Sequence, residues 1–460
     1  MDEKLNLTEG NILNILVKLA IPIIGTSFVQ MAYNLTDMLY LGRLSSKAVA
    51  AVGTAGFFTW LANSLIFLSK IGAEIGVSHS VGRGDMKRAK KYIKNTIKIN
   101  ILMGVIYALI LIIFRKSLIG FFNLGEASII NMAESYLLIV ALGINFFFIN
   151  PVCTAIFNGY GDSKTPFKIN ALGLIFNMIL DPLFIFGFGP IPRLEVTGAA
   201  IATIIAQFIV AATFIYVIVK KTTFLKDVNL LDKFDLEYVK SIFRYGLPVA
   251  MQNGLFCIFA MLIARIVSSF GDTSIAVQKI GSQIEAISWM TAGGFSTALS
   301  AYVGQNYGAK KWDRIYEGYF KALLAVSFLG IFNTALLYFG AKPLFSLFIR
   351  EADVIPFGVD YLKILAFSQL FMCIEIATAG AFNGLGKTIP PSLVGIFFTA
   401  LRIPAAIILS SKDLLGLNGI WWSISMSSVF KGVILTAWFI IYLSKKYKVI
   451  RDNKANYNYM

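Results

Sequence analysis

The apolar residues of this chain come in blocks of roughly twenty, broken by short basic, polar or glycine-containing stretches. A helix of ~20 apolar residues crosses the hydrocarbon core of a bilayer. Blocks of that length read as membrane spans rather than as buried core helices. Leu19–Leu41, Val49–Ser69, Ile99–Phe114, Tyr136–Gly161, Ile169–Pro192 and Val196–Val219 form a first group. Leu247–Gly271, Ile280–Gln305, Ala322–Ala341, Ile364–Gly386, Thr388–Ser411 and Leu414–Ser444 form a second. The pattern predicts an all-α polytopic membrane protein with about twelve transmembrane helices, the third of them short.

The polar exceptions inside these blocks carry the information. Asp37 is the lone charged residue of Leu19–Leu41, and Asp181 sits in Ile169–Pro192 one turn after Asn177. A carboxylate at mid-bilayer costs ~2.5–3.5 kcal/mol on insertion scales, so it is seldom kept without a role. On the first helix Gln30, Asn34 and Asp37 fall at i, i+4 and i+7, one polar stripe. On the fifth, Asn170, Asn177 and Asp181 share a face, and Thr203 on the sixth lies at a compatible depth. Two carboxylates, an amide and a hydroxyl can then converge in one half of the molecule. Hard oxygen ligands suit Na⁺. Carboxylates in a dry site suit H⁺ as well, because burial disfavours the charged form. The alternative is a structural hydrogen-bond cluster that ties three helices together.

The two groups of spans also repeat each other. Pro22 matches Pro248 at an offset of 226 (248 − 22), and Gly82 and Arg88 match Gly308 and Arg314 at the same offset. Phe157-Asn158-Gly159-Tyr160-Gly161 matches Phe382-Asn383-Gly384-Leu385-Gly386 at 225 (382 − 157), as Pro166 matches Pro391. An even number of spans per repeat relates the halves by an axis along the membrane normal. The division reads as a first lobe over 1–220, a charged linker over 221–240, a second lobe over 241–446 and a tail over 447–460. Pro22 weakens the first helix locally and is the candidate hinge. By the offsets, Asp37 corresponds to Ile263, Asn177 to Arg402 and Asp181 to Ala406, so the second lobe lacks the acidic cluster. Its own intramembrane charges are Arg265, Glu285, Glu375, Arg402 and Lys431. Such charges pair or line a wet cavity. Arg402 with Glu375 and Arg265 with Glu285 are the expected pairs, with Glu375 as a substrate counter-charge the sharper alternative. Lys70 and Glu74, at i and i+4, pair on the second helix. Candidate substrate-cleft residues are Gln30, Tyr33, Asn34, Gln252, Gln283 and Glu375. Aromatic residues near polar positions suit flat, greasy, cationic molecules through stacking and cation–π contact.

Composition agrees and removes other classes. Hydrophobic residues make up 57% of the 460 and charged residues 14%, against about 25% charged in a soluble domain. The net charge of +16 does not point to nucleic acid, because the basic residues gather in alternate loops. Arg83–Lys94, Lys220–Lys233, Lys310–Arg314 and Lys445–Arg451 are rich in them, whereas the intervening loops carry few. This positive-inside pattern places both termini in the cytoplasm of a cell inner membrane, crossed many times. The first apolar run lacks the marks of a cleavable signal. Cys153, Cys257 and Cys373 lie in apolar spans as inert thiols. His79, the one histidine, falls near the cytoplasmic face, where a capping or snorkelling role is expected. The glycine segments read as turns between spans. No phosphate-loop motif is present, so an ion gradient or a partner, not ATP on this chain, supplies energy.

Taken together, Pro22 with Asp37, Ala48–Gly53, Asn158-Gly159 with Gly161-Asp162, Asn177 with Asp181-Pro182, Gly198-Ala199-Ala200 with Ala202-Thr203, and Gly304–Ala309 resemble the multidrug and toxic compound extrusion (MATE) family. The likeness runs the length of the chain. It implies two pseudo-symmetric six-helix lobes around a central cleft, rocking between inward- and outward-open states. It implies that Asp37, Asn177, Asp181 and Thr203 form the H⁺ or Na⁺ site, with Na⁺ held at Asp37, Asn177 and Asp181. It further implies a non-enzymatic, cofactor-free exporter of small organic cations, acting as a monomer in the lipid bilayer. A lipid-linked or polysaccharide flippase of the same superfamily, or a membrane scaffold that transports nothing, are the alternatives.

Overall fold

The computed structural model describes residues 5–122, 124–190, 192–221, 232–349, 351–411 and 413–457. Residues 222–231 of the expected linker and 458–460 of the tail lie outside them. The described residues form thirteen helices and no strand ladder. These are α1 (Ile12–Leu44), α2 (Ser46–Gly82), α3 (Met86–Gly120), α4 (Ala127–Tyr160), α5 (Lys164–Phe186), α6 (Glu195–Lys221) and α7 (Leu236–Ser268). There follow α8 (Asp272–Gly308), α9 (Trp312–Phe339), α10 (Ala341–Ser346), α11 (Ile355–Gly384), α12 (Ile389–Leu409) and α13 (Leu417–Tyr457).

Eleven of the described helices are long and apolar enough to cross a membrane. The expected span Ile280–Gln305 lies in α8, which at 37 residues has the length but a more polar composition, with Lys279 and Glu285 in its first half. Most helices outrun their apolar blocks. The short third span becomes a 35-residue helix because the basic segment before it, Lys87 to Lys98, is helical too. Likewise α13 continues through most of the expected tail. The six-residue α10 has no counterpart in the apolar pattern.

The glycine-containing segments form turns as expected, and the structure adds aspartate side chains at the starts of the helices that follow. Gly161 ends α4 in the left-handed region, φ 100°, and donates to the carbonyls of Phe157 and Asn158. Asp162 then accepts from the Thr165 amide at 3.0 Å and its hydroxyl at 2.6 Å, which caps α5. Asp85 caps α3 by accepting from the Arg88 amide at 2.9 Å.

Two compact units result. One is built mainly from Gly25–Ala250, the other from Asn6–Ile24 with Met251–Met460. The lobe boundaries drawn on the sequence therefore differ from the packing. The first half of α1 packs with the second unit and the first half of α7 with the first. The chain passes between the units at Leu5/Asn6 and, within helices, at Ile24/Gly25 and Ala250/Met251; the two helical crossings keep the repeat offset of 226 (250 − 24) and fall two residues after Pro22 and Pro248. Each foot is pinned. In the second unit Asn306 Nδ2, Lys311 Nζ and Arg314 Nη1 donate to the carbonyls of Leu7, Thr8 and Gly10 at 2.9–3.0 Å. In the first, Lys91 and Lys94 pair with Asp235 and Asp232 at 3.4 and 3.2 Å, and Asn95 accepts from the Asp235 amide.

Candidate functional site

In the first unit α1, α5 and α6 bring their polar positions together. Helix α6 reaches α5 so closely that a Cβ on Gly198 would collide with the backbone of Phe184 and Ile185. That approach carries Thr203 to the buried face of α5. Asn177 and Asp181 have no exposed surface, and Asn177 Nδ2 donates to Asp181 Oδ1 at 3.1 Å. The Asp37 carboxylate lies beside the side chains of Asp181, Asn177 and Thr203. The Tyr33 hydroxyl, buried, donates to the Thr203 carbonyl at 3.3 Å. Tyr136 of α4 stands near both carboxylates.

All four residues expected at the ion site thus meet. Among the described residues, no basic side chain acts on either carboxylate. Two carboxylates in contact without a basic partner call for a proton or a cation between them. Asp37 Oδ1, Asn177 Oδ1, Asp181 Oδ2 and Thr203 Oγ1 are buried and have no hydrogen-bond partner among the described residues. Four converging oxygens in need of partners fit a hard cation or a proton. No cluster of three or more His, Cys, Asp or Glu side chains occurs among the described residues, so a site here relies on the amide and hydroxyl as well.

The cleft candidates scatter. Gln30 and Asn34 are exposed on α1 and stay out of the cluster, while Tyr33 is part of it. Asn170, at the other end of the α5 stripe, is used within the bundle, donating to the Pro166 carbonyl at 2.7 Å. Gln283 is exposed. Gln252 packs against α12, where its side chain fills the space a Cβ on Gly395 would need. Tyr136 was missed, because one tyrosine at the edge of an apolar block carries no distinguishing pattern.

The second unit overturns both expected ion pairs. Glu375 pairs with Lys431 at 3.0 Å, from α13, not with Arg402. Arg402 instead donates Nε to Ser427 Oγ at 2.7 Å and Nη2 to Ser428 Oγ at 3.2 Å. Arg265 is exposed, and Glu285 accepts from Gln369 Nε2 at 3.2 Å. The reason is rotational. A helical period says which residues share a face but not which neighbour that face meets, and the serines and lysine of α13 turn inward here. Lys70 does lie within electrostatic reach of Glu74, with its ammonium 5.1 Å from the Phe67 ring. The three cysteines are buried and are not in disulfides. His79 is buried, its ring edge-on to Tyr245 at 6.4 Å.

The MatE family model matches residues 22–183 and again residues 248–408. The chain belongs to the MatE family. The two matches begin 226 residues apart and end 225 apart, the same offsets that relate the repeats. The first match ends just after Asp181 and the second just after its counterpart Ala406. The MatE chain is 29% identical to the probable multidrug resistance protein NorM of Thermotoga maritima over 92% of its own length and 91% of the relative's. It is 24% identical to an FAD transporter of Shewanella oneidensis, covering 94% and 95%. Among solved structures it superposes on an outward-facing multidrug resistance MATE family transporter with a TM-score of 0.89 at 22% identity, covering 97% and 99%. A MOP superfamily transporter from Pyrococcus furiosus, described as having a binding pocket of reverse polarity, superposes with a TM-score of 0.88 at 22% identity, covering 96% and 98%. This protein is therefore a multi-pass membrane transporter and not an enzyme.

Proposed function

We propose that this MatE chain exports small organic molecules across the inner membrane, with both termini cytoplasmic, in exchange for H⁺ or Na⁺. The supporting observation is the contact between Asp37 and Asp181 with four unpartnered oxygens around it. Asp37, Asn177, Asp181 and Thr203 hold the coupling ion, and Tyr33 and Tyr136 wall the site. Na⁺ sits at Asp37, Asn177 and Asp181, or a proton bridges the two carboxylates. Either way the site loses negative charge when loaded. A cationic cargo that relies on that charge is then released, and bound cargo weakens ion binding by the same factor. The transporter acts as a monomer by alternating access, with Pro22 as the bending point of α1.

The test is counter-transport of ethidium in proteoliposomes under separately imposed H⁺ and Na⁺ gradients. Uptake or release driven by one of the two supports the reading. Ethidium movement indifferent to both gradients removes it. Relatives named for multidrug resistance and for FAD share this level of similarity, so the charge of the cargo has to be read from the lobes themselves.

A further inference from the structure

The second unit holds a charged centre that ion coupling does not use. Arg402 stands at the repeat position of Asn177, so the counterpart of the acidic site carries a fixed positive charge. Its guanidinium has five N–H donors. Two go to the neutral oxygens of Ser427 and Ser428. Among the described residues no carboxylate lies within ion-pair distance of it, and Glu375, which acts on it from further off, is joined to Lys431 at 3.0 Å. Glu285 is in the mirror-image condition. It receives one hydrogen bond, from Gln369, and no ion pair. Arg402 and Glu285 are both half-buried; the charge that acts most on Arg402 is that of Glu375, with Glu285 next, and neither is joined to it in an ion pair.

Two neighbouring groups independently lack partners. Gln369 has no exposed surface, and its Nε2 is spent on Glu285 and the Leu365 carbonyl, yet its Oε1 has no partner. Trp421 is likewise fully buried with its indole N–H unpartnered, 4.7 Å ring to ring from Tyr361, and Tyr361 acts on both Glu285 and Arg402. A centre built only to hold helices together would close its own hydrogen bonds.

Glu285, Glu375, Arg402 and Lys431 sum to zero charge. A bare anion brought to Arg402 would meet Glu285 and Glu375, and a bare cation brought to Glu285 would meet Arg402 and Lys431. A molecule bearing both signs meets neither objection. We propose that Arg402 and Glu285 form a subsite for zwitterionic cargo, the guanidinium taking a carboxylate and Glu285 an amine. The subsite names a substrate class for the exporter and so rests on that reading.

Norfloxacin is a zwitterion, its ethyl ester a cation and its N-acetyl derivative an anion. Their Kd values are measured by fluorescence titration on the purified full chain. Wild type is expected to bind norfloxacin tightest. Arg402→Gln should weaken norfloxacin roughly ten- to a hundredfold relative to the ester, the range for losing a charge-assisted hydrogen bond. Glu285→Gln should weaken it relative to the N-acetyl derivative by a similar factor. Should Arg402→Gln fail to fold, Arg402→Lys and Glu285→Gln carry the test, since the lysine keeps the charge and loses the fork. Ratios within about twofold of wild type in the folded variants, or a wild type that binds the ester as tightly as norfloxacin, overturn the proposal. Gradient-driven efflux of the ester by wild type reports on the exporter reading separately, so the two failures are distinguishable.

Discussion

At the scale of single residues, the first unit separates chemistry from support. Asp37 and Asp181 face each other, while the neutral carboxamide of Asn177 fixes Asp181. Asp37→Asn and Asp181→Asn keep volume and remove the negative charge. Each should abolish gradient-driven efflux yet leave a monodisperse protein with a melting temperature at or above wild type, since a like-charge contact is relieved. Parallel loss of folded protein, followed by size-exclusion chromatography, would return the cluster to a structural role. The second unit gives the opposite expectation for Glu375 and Lys431, which are buried and joined at 3.0 Å. Lys431→Ala should cost ~3–5 kcal/mol by leaving a carboxylate unpaired, and adding Glu375→Ala should restore part of it. Additive losses in a thermal-unfolding cycle would exclude the pairing. The acidic site was legible in the sequence because intramembrane carboxylates are costly and fall on helical faces. The identity of Glu375's partner was not, because Lys431 reaches it only through the rotation of α13 in the bundle. Gln30 and Asn34 share a helix with Asp37, but the turn of α1 leaves them exposed.

At the scale of helices, the repeat preserves contacts more faithfully than residues. Gly76 of α2 makes room for the Tyr92 ring of α3. The positions 226 further on are Tyr302 and Gly318, and there Gly318 of α9 makes room for Tyr302 of α8. The bulky and the empty partner have exchanged helices while the filled volume is kept, as close packing requires. In both units the following arginine, Arg88 or Arg314, lies 5.9 Å from the tyrosine ring, whichever helix supplies it. Gly198 of α6 and Gly419 of α13 play the same part in their units, although they lie 221 residues apart (419 − 198) and so off the repeat offset. A Cβ on the first would strike the Phe184 and Ile185 backbone, and on the second the backbone of Leu409 and Ser410. Gly76→Tyr alone should destabilise by more than the ~1–3 kcal/mol of ordinary overpacking, because two rings would compete for one space. Gly76→Tyr with Tyr92→Gly should recover most of that loss, since the second unit already folds with this arrangement. A double variant no more stable than the single one, by thermal unfolding, would mean that the exchange depends on surroundings the first unit does not share.

At the scale of the whole chain, the departure from the expected lobe boundaries has the widest consequence. Span counting groups the first helix with the five after it, but packing divides α1 at Ile24 and α7 at Ala250. No periodicity reveals such a division, because each helix is continuous and apolar on either side of the crossing. The feet are held in one unit by the Leu7–Gly10 and Asp232–Asp235 anchors, and the remainder of each helix belongs to the other. Any rearrangement between the units must therefore be absorbed at Leu5/Asn6 or along α1 and α7, the two helices that cross. Pro22 and Pro248, two residues before the crossings within these helices, are where each helix lacks a backbone N–H donor and bends most readily. Alanine at both positions restores the donor and stiffens the helices. Pro22→Ala with Pro248→Ala should raise or preserve the melting temperature and leave ion-dependent stabilisation of the first unit intact. Ethidium counter-transport should fall at least about tenfold, the cost of roughly 1.4 kcal/mol on the rate-limiting step. Each single substitution should fall less, because one flexible crossing remains. Transport at the wild-type rate in the double variant would place the moving element elsewhere than in these two helices.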